Sequence, residues 1–66
     1  MESYFGRVLV EDASGARLYV HEYRGRRMVL PVKRYMLDTG EQVRRVDNGS
    51  FEIIKTGERL TCVAEE

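Results

Sequence analysis

The sequence predicts a small all-β protein, an antiparallel meander of five to six short strands. Two observations carry this prediction. Glycines recur in turn-like contexts at positions 15, 25, 40, 49 and 57, and the stretches between them are rich in Val, Ile, Leu, Tyr, Phe and Arg, which suit strands. The length of 66 residues allows a single domain, predicted over residues 1–66.

The glycine spacing divides the chain into six predicted strands, over residues 4–11, 16–23, 27–34, 42–46, 51–55 and 59–64. Arg24-Gly25 is interpreted as one turn between strands. Asn48-Gly49 is the strongest hairpin signal, because a type I′ turn needs positive φ at two positions and these residues tolerate it. Short connections make neighbouring strands antiparallel. A chain of this size then curls into an SH3-like or OB-like barrel.

A weak internal repeat supports the predicted turns. Four glycines open the same pattern, in which any residue, then Arg or Gln, then an apolar residue follows: Gly15, Gly25, Gly40 and Gly57. Each copy predicts a turn followed by a strand whose side chains alternate between two faces. Repeated hairpin chemistry explains the pattern without a duplication.

Residues 31–37 allow two interpretations. Pro31 stands near a possible helix start and Gly40 lies just past a possible end, which is typical of a short helix of one to two turns. The apolar and aromatic content favours a strand, and a strand is the prediction here.

Alternation sorts the strands into two faces. The predicted core face collects Val8, Val10, Leu18, Val20, Met28, Leu30, Val32, Val43, Phe51, Ile53, Leu60 and Cys62. The other face carries six Arg or Lys (at 7, 17, 27, 33, 44 and 59) against Glu11 and Glu52. It also carries Phe5, Tyr19, Tyr23 and Tyr35, which is more aromatic area than a solvated surface usually holds.

Charge is balanced over the chain but not along it. Eleven basic residues match eleven acidic ones, yet residues 23–46 hold seven basic residues against Asp38 and Glu41, a local balance of +5. Arginine supplies a planar fork for phosphate, and tyrosine a surface on which bases stack. The candidate nucleic-acid site therefore comprises Arg17, Tyr19, His21, Tyr23, Arg24, Arg26, Arg27, Lys33 and Arg44. The structural alternative is that the tyrosines fill an outer face while arginines guard an edge against pairing.

Several classes of function find no support in the sequence. No phosphate loop or metal signature occurs, and the carboxylates are scattered. His21 and Cys62 are the only strong soft ligands, too few for a zinc site, and Cys62 has no second cysteine to pair with. The prediction is a non-enzymatic protein without metal or cofactor.

Targeting signals are equally missing from the sequence. No apolar stretch approaches the length of about 18 residues that spans a membrane, and the first three residues lack the features of a secretory leader. We therefore expect no membrane partner and a cytoplasmic location.

The best specific prediction is binding of single-stranded nucleic acid or RNA through the Arg and Tyr face. The alternative is a protein–protein adaptor or a homodimerising domain, which would use apolar residues of the same face: Phe5, Leu9, Val29, Ile54 and Val63.

Overall fold

The computed structural model describes residues 2–65 and consists of six antiparallel strands that close into a small barrel. The strands are β1 (Ser3–Glu11), β2 (Arg17–Arg27), β3 (Leu30–Leu37), β4 (Gln42–Asp47), β5 (Ser50–Ile53) and β6 (Arg59–Glu65). Each strand pairs with the next, and β1 pairs with β6 to close the ring. The predicted all-β fold is confirmed and is consistent with an SH3-like or OB-like barrel. Residues 1 and 66, the ends of the predicted domain, lie outside the described residues.

The segment over residues 31–37 is a strand, as predicted, and no helix occurs in residues 2–65. Accordingly, that part of the chain holds no helix that could cross a membrane.

The core confirms the predicted inward face for most strands. Its buried side chains are Val8, Val10, Val20, Leu37, Val43, Phe51, Ile53 and Leu60, with Leu18, Tyr35 and Cys62 packed partly buried against them. Phe51 is the largest fully buried side chain and meets the ring of Tyr35 edge-on, with 5.2 Å between centroids. Aromatic pairs at this distance and angle are favourable beyond the area they bury.

The predicted core face of β3 is wrong. Met28, Leu30 and Val32 are 92%, 67% and 43% exposed. Inward orientation on β3 is set instead by Leu37, which lies opposite the buried Val20 of β2. The physical reason is that β1 and β4 do not pair with this part of the hairpin, so no core lies against Met28, Leu30 and Val32.

The turn predicted at Arg24-Gly25 is also wrong. Strand β2 continues through Gly25 to Arg27, and Arg27 pairs with Leu30 across a two-residue turn. Met28 opens that turn with a φ of 59°, a left-handed conformation that residues with a Cβ seldom adopt.

The other three copies of the glycine repeat do form turns. Gly15, Gly40 and Gly57 have φ values of 88°, 92° and 78°. Each amide donates to the carbonyl of the residue that opens the turn, with N–O distances of 3.1, 2.9 and 2.7 Å. The opening residue in turn donates to the carbonyl just after the glycine. The same two bonds therefore recur at all three turns, although the Gly57 turn is one residue longer, and glycine takes the position of positive φ because it does so without steric cost.

Asn48-Gly49 is a hairpin turn as predicted, but it is not of type I′. Neither residue has positive φ. The side chain of Asp47 holds the turn instead: its Oδ1 accepts hydrogen bonds from the Gly49 amide at 2.8 Å and from the Ser50 hydroxyl at 2.9 Å. Such side-chain bonding to the backbone two residues on is an Asx turn.

One end of the β2–β3 hairpin extends beyond the barrel. The pairing of β1 with β2 stops at Ser3 opposite Arg24, and β4 pairs with β3 only at Tyr35 and Met36. Residues 25–32 therefore form a two-stranded ribbon with no described neighbour strand. Together with the pair Arg24 and Lys33 at its base, we name this ribbon, residues 24–33, the β2–β3 arm. The Cα envelope is accordingly elongated, at 39 × 24 × 22 Å.

Candidate nucleic-acid interface

The structure divides the residues of the predicted site between two sides of the sheet. Alternation from the buried Val20 points Arg17, Tyr19, His21, Tyr23 and Arg27 outward from β2. Arg24 lies directly opposite Lys33, so these two side chains share the other side of the arm, with Arg26. Arg44 lies on β4, away from β2. The sequence placed Lys33 and Tyr35 on one face with Tyr19 and Tyr23, and this placement is wrong. Lys33 and Tyr35 lie on the other side of the sheet, where Tyr35 packs against the core.

The two tyrosines of the predicted stacking platform already contact other side chains. The guanidinium carbon of Arg7 lies 4.2 Å from the ring centre of Tyr19. The ring of Tyr4 meets that of Tyr23 edge-on at 5.5 Å, and Arg34 lies 5.6 Å from the Tyr23 ring centre. A base could stack on either ring only by displacing or sharing these contacts.

His21 is part of a hydrogen-bonded chain across three strands. Its Nδ1 lies 2.9 Å from the hydroxyl of Tyr4, and its Nε2 contacts Oδ1 of Asp38. A tautomer protonated on Nε2 satisfies both contacts, because Tyr4 then donates to Nδ1 and the ring donates to the carboxylate. The side chain is 22% exposed, so its role here is to connect β1 and β2 to the end of β3.

Four arginines of the barrel surface and arm base are neutralised by carboxylates. Arg34 forms a two-pronged bond to Glu2, at 2.7 and 3.1 Å, which raises the pKa of Arg34. Arg24 pairs with Glu22, two residues before it on β2, at 2.5 Å. The other two pairs join residues that lie directly opposite each other on neighbouring strands: Arg44 with Glu52 at 2.7 Å and Arg17 with Glu11 at 3.7 Å.

Phe5 belongs to the open end of the barrel rather than to the outer tyrosine face. The register between β1 and β2 shifts between Tyr4 and Gly6, leaving Phe5 as the extra residue of a bulge. Its ring supports the guanidinium of Arg24 at 3.3 Å from the ring centre. The prediction that Phe5 lies on the same face as Tyr19 is therefore wrong.

Three cations of the arm have no such partner. Arg26, Arg27 and Lys33 are exposed, and within residues 2–65 no carboxylate or other side chain pairs with them. Residues 23–37 contain no acidic residue at all. Glu2 lines a shallow cavity with Arg26 and Arg27 but is bonded to Arg34, and Glu22 is bonded to Arg24. The arm therefore groups three exposed cations that are bonded to no carboxylate among residues 2–65.

A cavity and a groove continue the basic surface from the arm to the barrel. The cavity measures about 330 Å³ at the open barrel end, and Arg7, Arg24, Lys33 and Arg45 line it with Glu22 and the rings of Phe5 and Tyr35. The groove measures about 420 Å³ between β3 and β4, which separate beyond their two paired positions. Its cations are Lys33, Arg34, Arg44 and Arg45.

Sequence reasoning missed Arg7, Arg34 and Arg45 as members of this surface. Arg34 and Arg45 lie in the basic block that the sequence identified, so the charge count was the available signal. Arg45 also donates to the carbonyls of Asp47 and Asn48, both at 3.2 Å, and covers the ring of Phe51. Its guanidinium is thereby held at the edge of the groove.

The described residues contain no group of three or more His, Cys, Asp and Glu side chains that could hold a metal ion. Cys62 is partly buried against the core, in agreement with its predicted inward parity. The apolar residues of the alternative adaptor face are dispersed: Val29 lies at the arm tip, Ile54 in the loop after β5 and Val63 on β6. Comparison of the chain with protein-family models, with curated proteins and with solved structures finds no match.

Proposed function

We propose that this protein is a non-enzymatic nucleic-acid-binding protein that contacts phosphates with the β2–β3 arm. One observation carries the proposal: Arg26, Arg27 and Lys33 project from a ribbon that contains no acidic residue, and no carboxylate within residues 2–65 is bonded to them. Arginine matches the geometry of phosphate oxygens with two parallel donors. Binding of cations to a nucleic-acid backbone also releases its condensed counterions, which supplies sequence-independent affinity.

The charge distribution outside the arm favours a nucleic acid that binds in one orientation, at the arm, over one that is attracted to the whole protein surface. The formal net charge is zero. The carboxylates at 2, 11, 22 and 52 are bonded to Arg34, Arg17, Arg24 and Arg44, of which only Arg24 belongs to the arm, at its base. A nucleic acid therefore meets an uncompensated field chiefly at the arm. From Lys33 the backbone can follow the groove between β3 and β4 toward Arg45.

The proposal depends on the cations and not on the tyrosines. Stacking of single-stranded bases was the more specific expectation from the sequence, but the rings of Tyr19 and Tyr23 have intramolecular contacts. The cytoplasm, where nucleic acid is accessible, is the location that we propose for this function.

The test is a salt titration of oligonucleotide binding. Fluorescence anisotropy of a labelled 20-nucleotide probe is measured between about 50 and 300 mM salt, where phosphate contacts weaken steeply. We expect the triple variant R26S/R27S/K33S to lose most of the affinity and to lower the logarithmic salt slope by about two to three units. The matched control R17S/K55S/R59S removes the same charge from elsewhere on the barrel. An equal loss in the two variants, or no binding by the wild type at about 50 mM salt, contradicts the proposal.

The adaptor or homodimer remains the second candidate, because Met28, Val29 and Leu30 are highly exposed. A dimer formed by pairing two β3 edges is disfavoured, because it would bring like charges together at Lys33 and because Pro31 has no amide hydrogen to donate to the ladder. A dimer would therefore use the exposed apolar side chains of the tip. Gel filtration at two concentrations tests this candidate: a dimer that M28N/V29S dissociates would support it.

A further inference from the structure

The tip of the β2–β3 arm presents apolar side chains to solvent. Met28 is 92%, Val29 82% and Leu30 67% exposed. The basic residues Arg26 and Arg27 directly precede them. A monomeric protein seldom leaves contiguous apolar surface on a protruding element unless that surface meets a partner. A matching partner therefore has a recess with negative charge along its rim, which meets the basic residues, and apolar surface at its bottom, which meets the tip.

Positive charge lies on both faces of the arm. Residues opposite each other in an antiparallel ladder project to the same side. Arg24 and its partner Lys33 therefore share one face with Arg26, whereas Arg27 projects from the other face with its partner Leu30. An approaching polyanion can be contacted from two sides at once.

The dimensions of the arm match one groove of duplex DNA. The three residue pairs beyond Arg24 and the turn extend about 12 Å at roughly 3.4 Å a residue, and the major groove is about 8.5 Å deep. The major groove is about 12 Å wide and admits such a ribbon, but the minor groove, at about 6 Å, does not.

We infer that the arm enters the major groove of duplex DNA tip first. This inference rests on the proposed function and names its substrate. Arg27 on one face and Arg26 with Lys33 on the other contact the phosphates of the two groove walls. Met28 and Val29 reach the groove floor, where thymine methyl groups and base edges offer apolar contact. Duplex RNA is excluded as an equal substrate, because its major groove is deep and too narrow for side chains to read.

The two-sided charge favours a groove over the other anionic surfaces. A groove has two phosphate walls, whereas an anionic bilayer presents a single plane of headgroups to which the two faces of the arm are not matched. A single-stranded nucleic acid likewise has only one phosphate backbone, which the two faces of the arm cannot both contact. Both are nevertheless included as outcomes of the test.

The experiment compares three labelled probes of the same sequence at about 100 mM salt: a 20-base-pair DNA duplex, its single strand, and the RNA duplex. We expect the DNA duplex to bind at least tenfold more tightly than the other two. The variant M28N/V29S keeps every charge and should lose about tenfold in affinity for the DNA duplex without a change in salt slope. The control V63S removes an exposed apolar side chain of β6, away from both the arm and the groove between β3 and β4, and should leave affinity within twofold. Methyl green, which occupies the major groove, should displace the protein, and netropsin, a minor-groove ligand, should not.

The outcomes separate this inference from the proposed function. Tighter binding to the single strand than to the duplex, displacement by netropsin, or unchanged affinity in M28N/V29S overturns the groove inference and leaves phosphate binding by the arm intact. Absence of binding to all three probes overturns both. Sedimentation with phosphatidylserine vesicles that M28N/V29S abolishes, without binding to DNA, would assign the tip to a lipid surface and likewise overturn both.

Discussion

Gly25 lies directly opposite Val32 in the ladder between β2 and β3, in the middle of a strand rather than in a turn. Because the ladder continues past Gly25, the hairpin turn lies at Met28 and Val29, and the paired strands extend beyond the barrel as the arm. Had the chain turned at Gly25, Arg26 and Arg27 would begin the next strand within the barrel. They project beyond it instead, because the pairing continues through Arg27 and Leu30.

The left-handed turn glycines should be sensitive to substitution where the hairpin glycine is not. Gly57 has a φ of 78°, whereas Gly49 lies outside the left-handed region and its nearest atom to an added Cβ is 3.8 Å away. We expect Gly57→Ala to lower the free energy of unfolding by about 1 kcal/mol, because a Cβ is strained at positive φ. Gly49→Ala should change it by less than about 0.5 kcal/mol. Urea denaturation of both variants gives the comparison, and equal losses would contradict it.

The tip residue Met28 should carry backbone strain. Its φ of 59° with an exposed side chain gives the strain no compensating contact within the described residues. Met28→Gly is therefore expected to raise the free energy of unfolding by about 0.5 kcal/mol, since relief of strain at positive φ exceeds the added entropy of the unfolded chain. Val29→Gly, at the next position without positive φ, should lower it instead. Thermal and urea unfolding measure both, and a loss of stability in Met28→Gly would contradict this reasoning.

Much of the fold follows from alternation, but not the arm. Leu18 and Val20 on β2 alternate with Arg17, Tyr19 and His21, and their inward orientation was predicted correctly. Around Met28 alternation cannot identify a buried face, because neither β1 nor β4 pairs with this part of the hairpin. The turn there uses a non-glycine residue in a left-handed conformation, whereas Gly25 offered the more usual turn signal.

The site was only partly predictable for a related reason. The sequence shows the basic block as a local excess of positive charge, but it does not show which of these cations are paired with carboxylates in the fold. Arg34 and Glu2 are 32 residues apart in sequence yet bonded in the fold. Which cations remain unpartnered depends on such strand register. Register was the property least defined by the sequence.

The core of such a small barrel should not tolerate the loss of its central aromatic side chain, Phe51. Phe51 is completely buried and contacts Tyr35. Phe51→Ala is expected to cost about 3 to 5 kcal/mol, a large part of the total stability of about 5 kcal/mol that a chain of this size has. Circular dichroism at 25 °C should then show a substantially unfolded population. Ile54→Ala, at a site 57% exposed, serves as the control and should remain folded.

Acid should destabilise the protein through two turn aspartates. Hydrogen bonds from the Ser14 hydroxyl and from the Ala16 and Ser14 amides lower the pKa of Asp12. Bonds from the Gly49 amide and the Ser50 hydroxyl lower the pKa of Asp47. Because both folded-state values lie below the unfolded ones, the stabilisation is present above the unfolded pKa of about 3.9.

That stabilisation is lost as the pH falls through the folded-state values. Urea midpoints measured from pH 6 down to pH 2 should therefore decrease, and less so in D12N/D47N, whose side chains do not titrate. A variant profile that fell as steeply as that of the wild type would assign the acid sensitivity to other carboxylates.

The last prediction separates phosphate contact by the arm from base stacking on the outer face. If the cations of the arm carry the binding, Tyr19→Leu and Tyr23→Leu should each change affinity for a single-stranded probe by less than about twofold. The reason is that the ring of Tyr19 already holds Arg7 and that of Tyr23 holds Tyr4. If bases stack there instead, each substitution should weaken binding by about 1 to 3 kcal/mol while the salt slope stays the same. Anisotropy titrations at two salt concentrations distinguish the outcomes, with unfolding curves of the same variants to exclude loss of fold. A tenfold loss in a stably folded Tyr23→Leu would restore the stacking platform that the sequence predicted and move the interface from the arm to the outer face of β2.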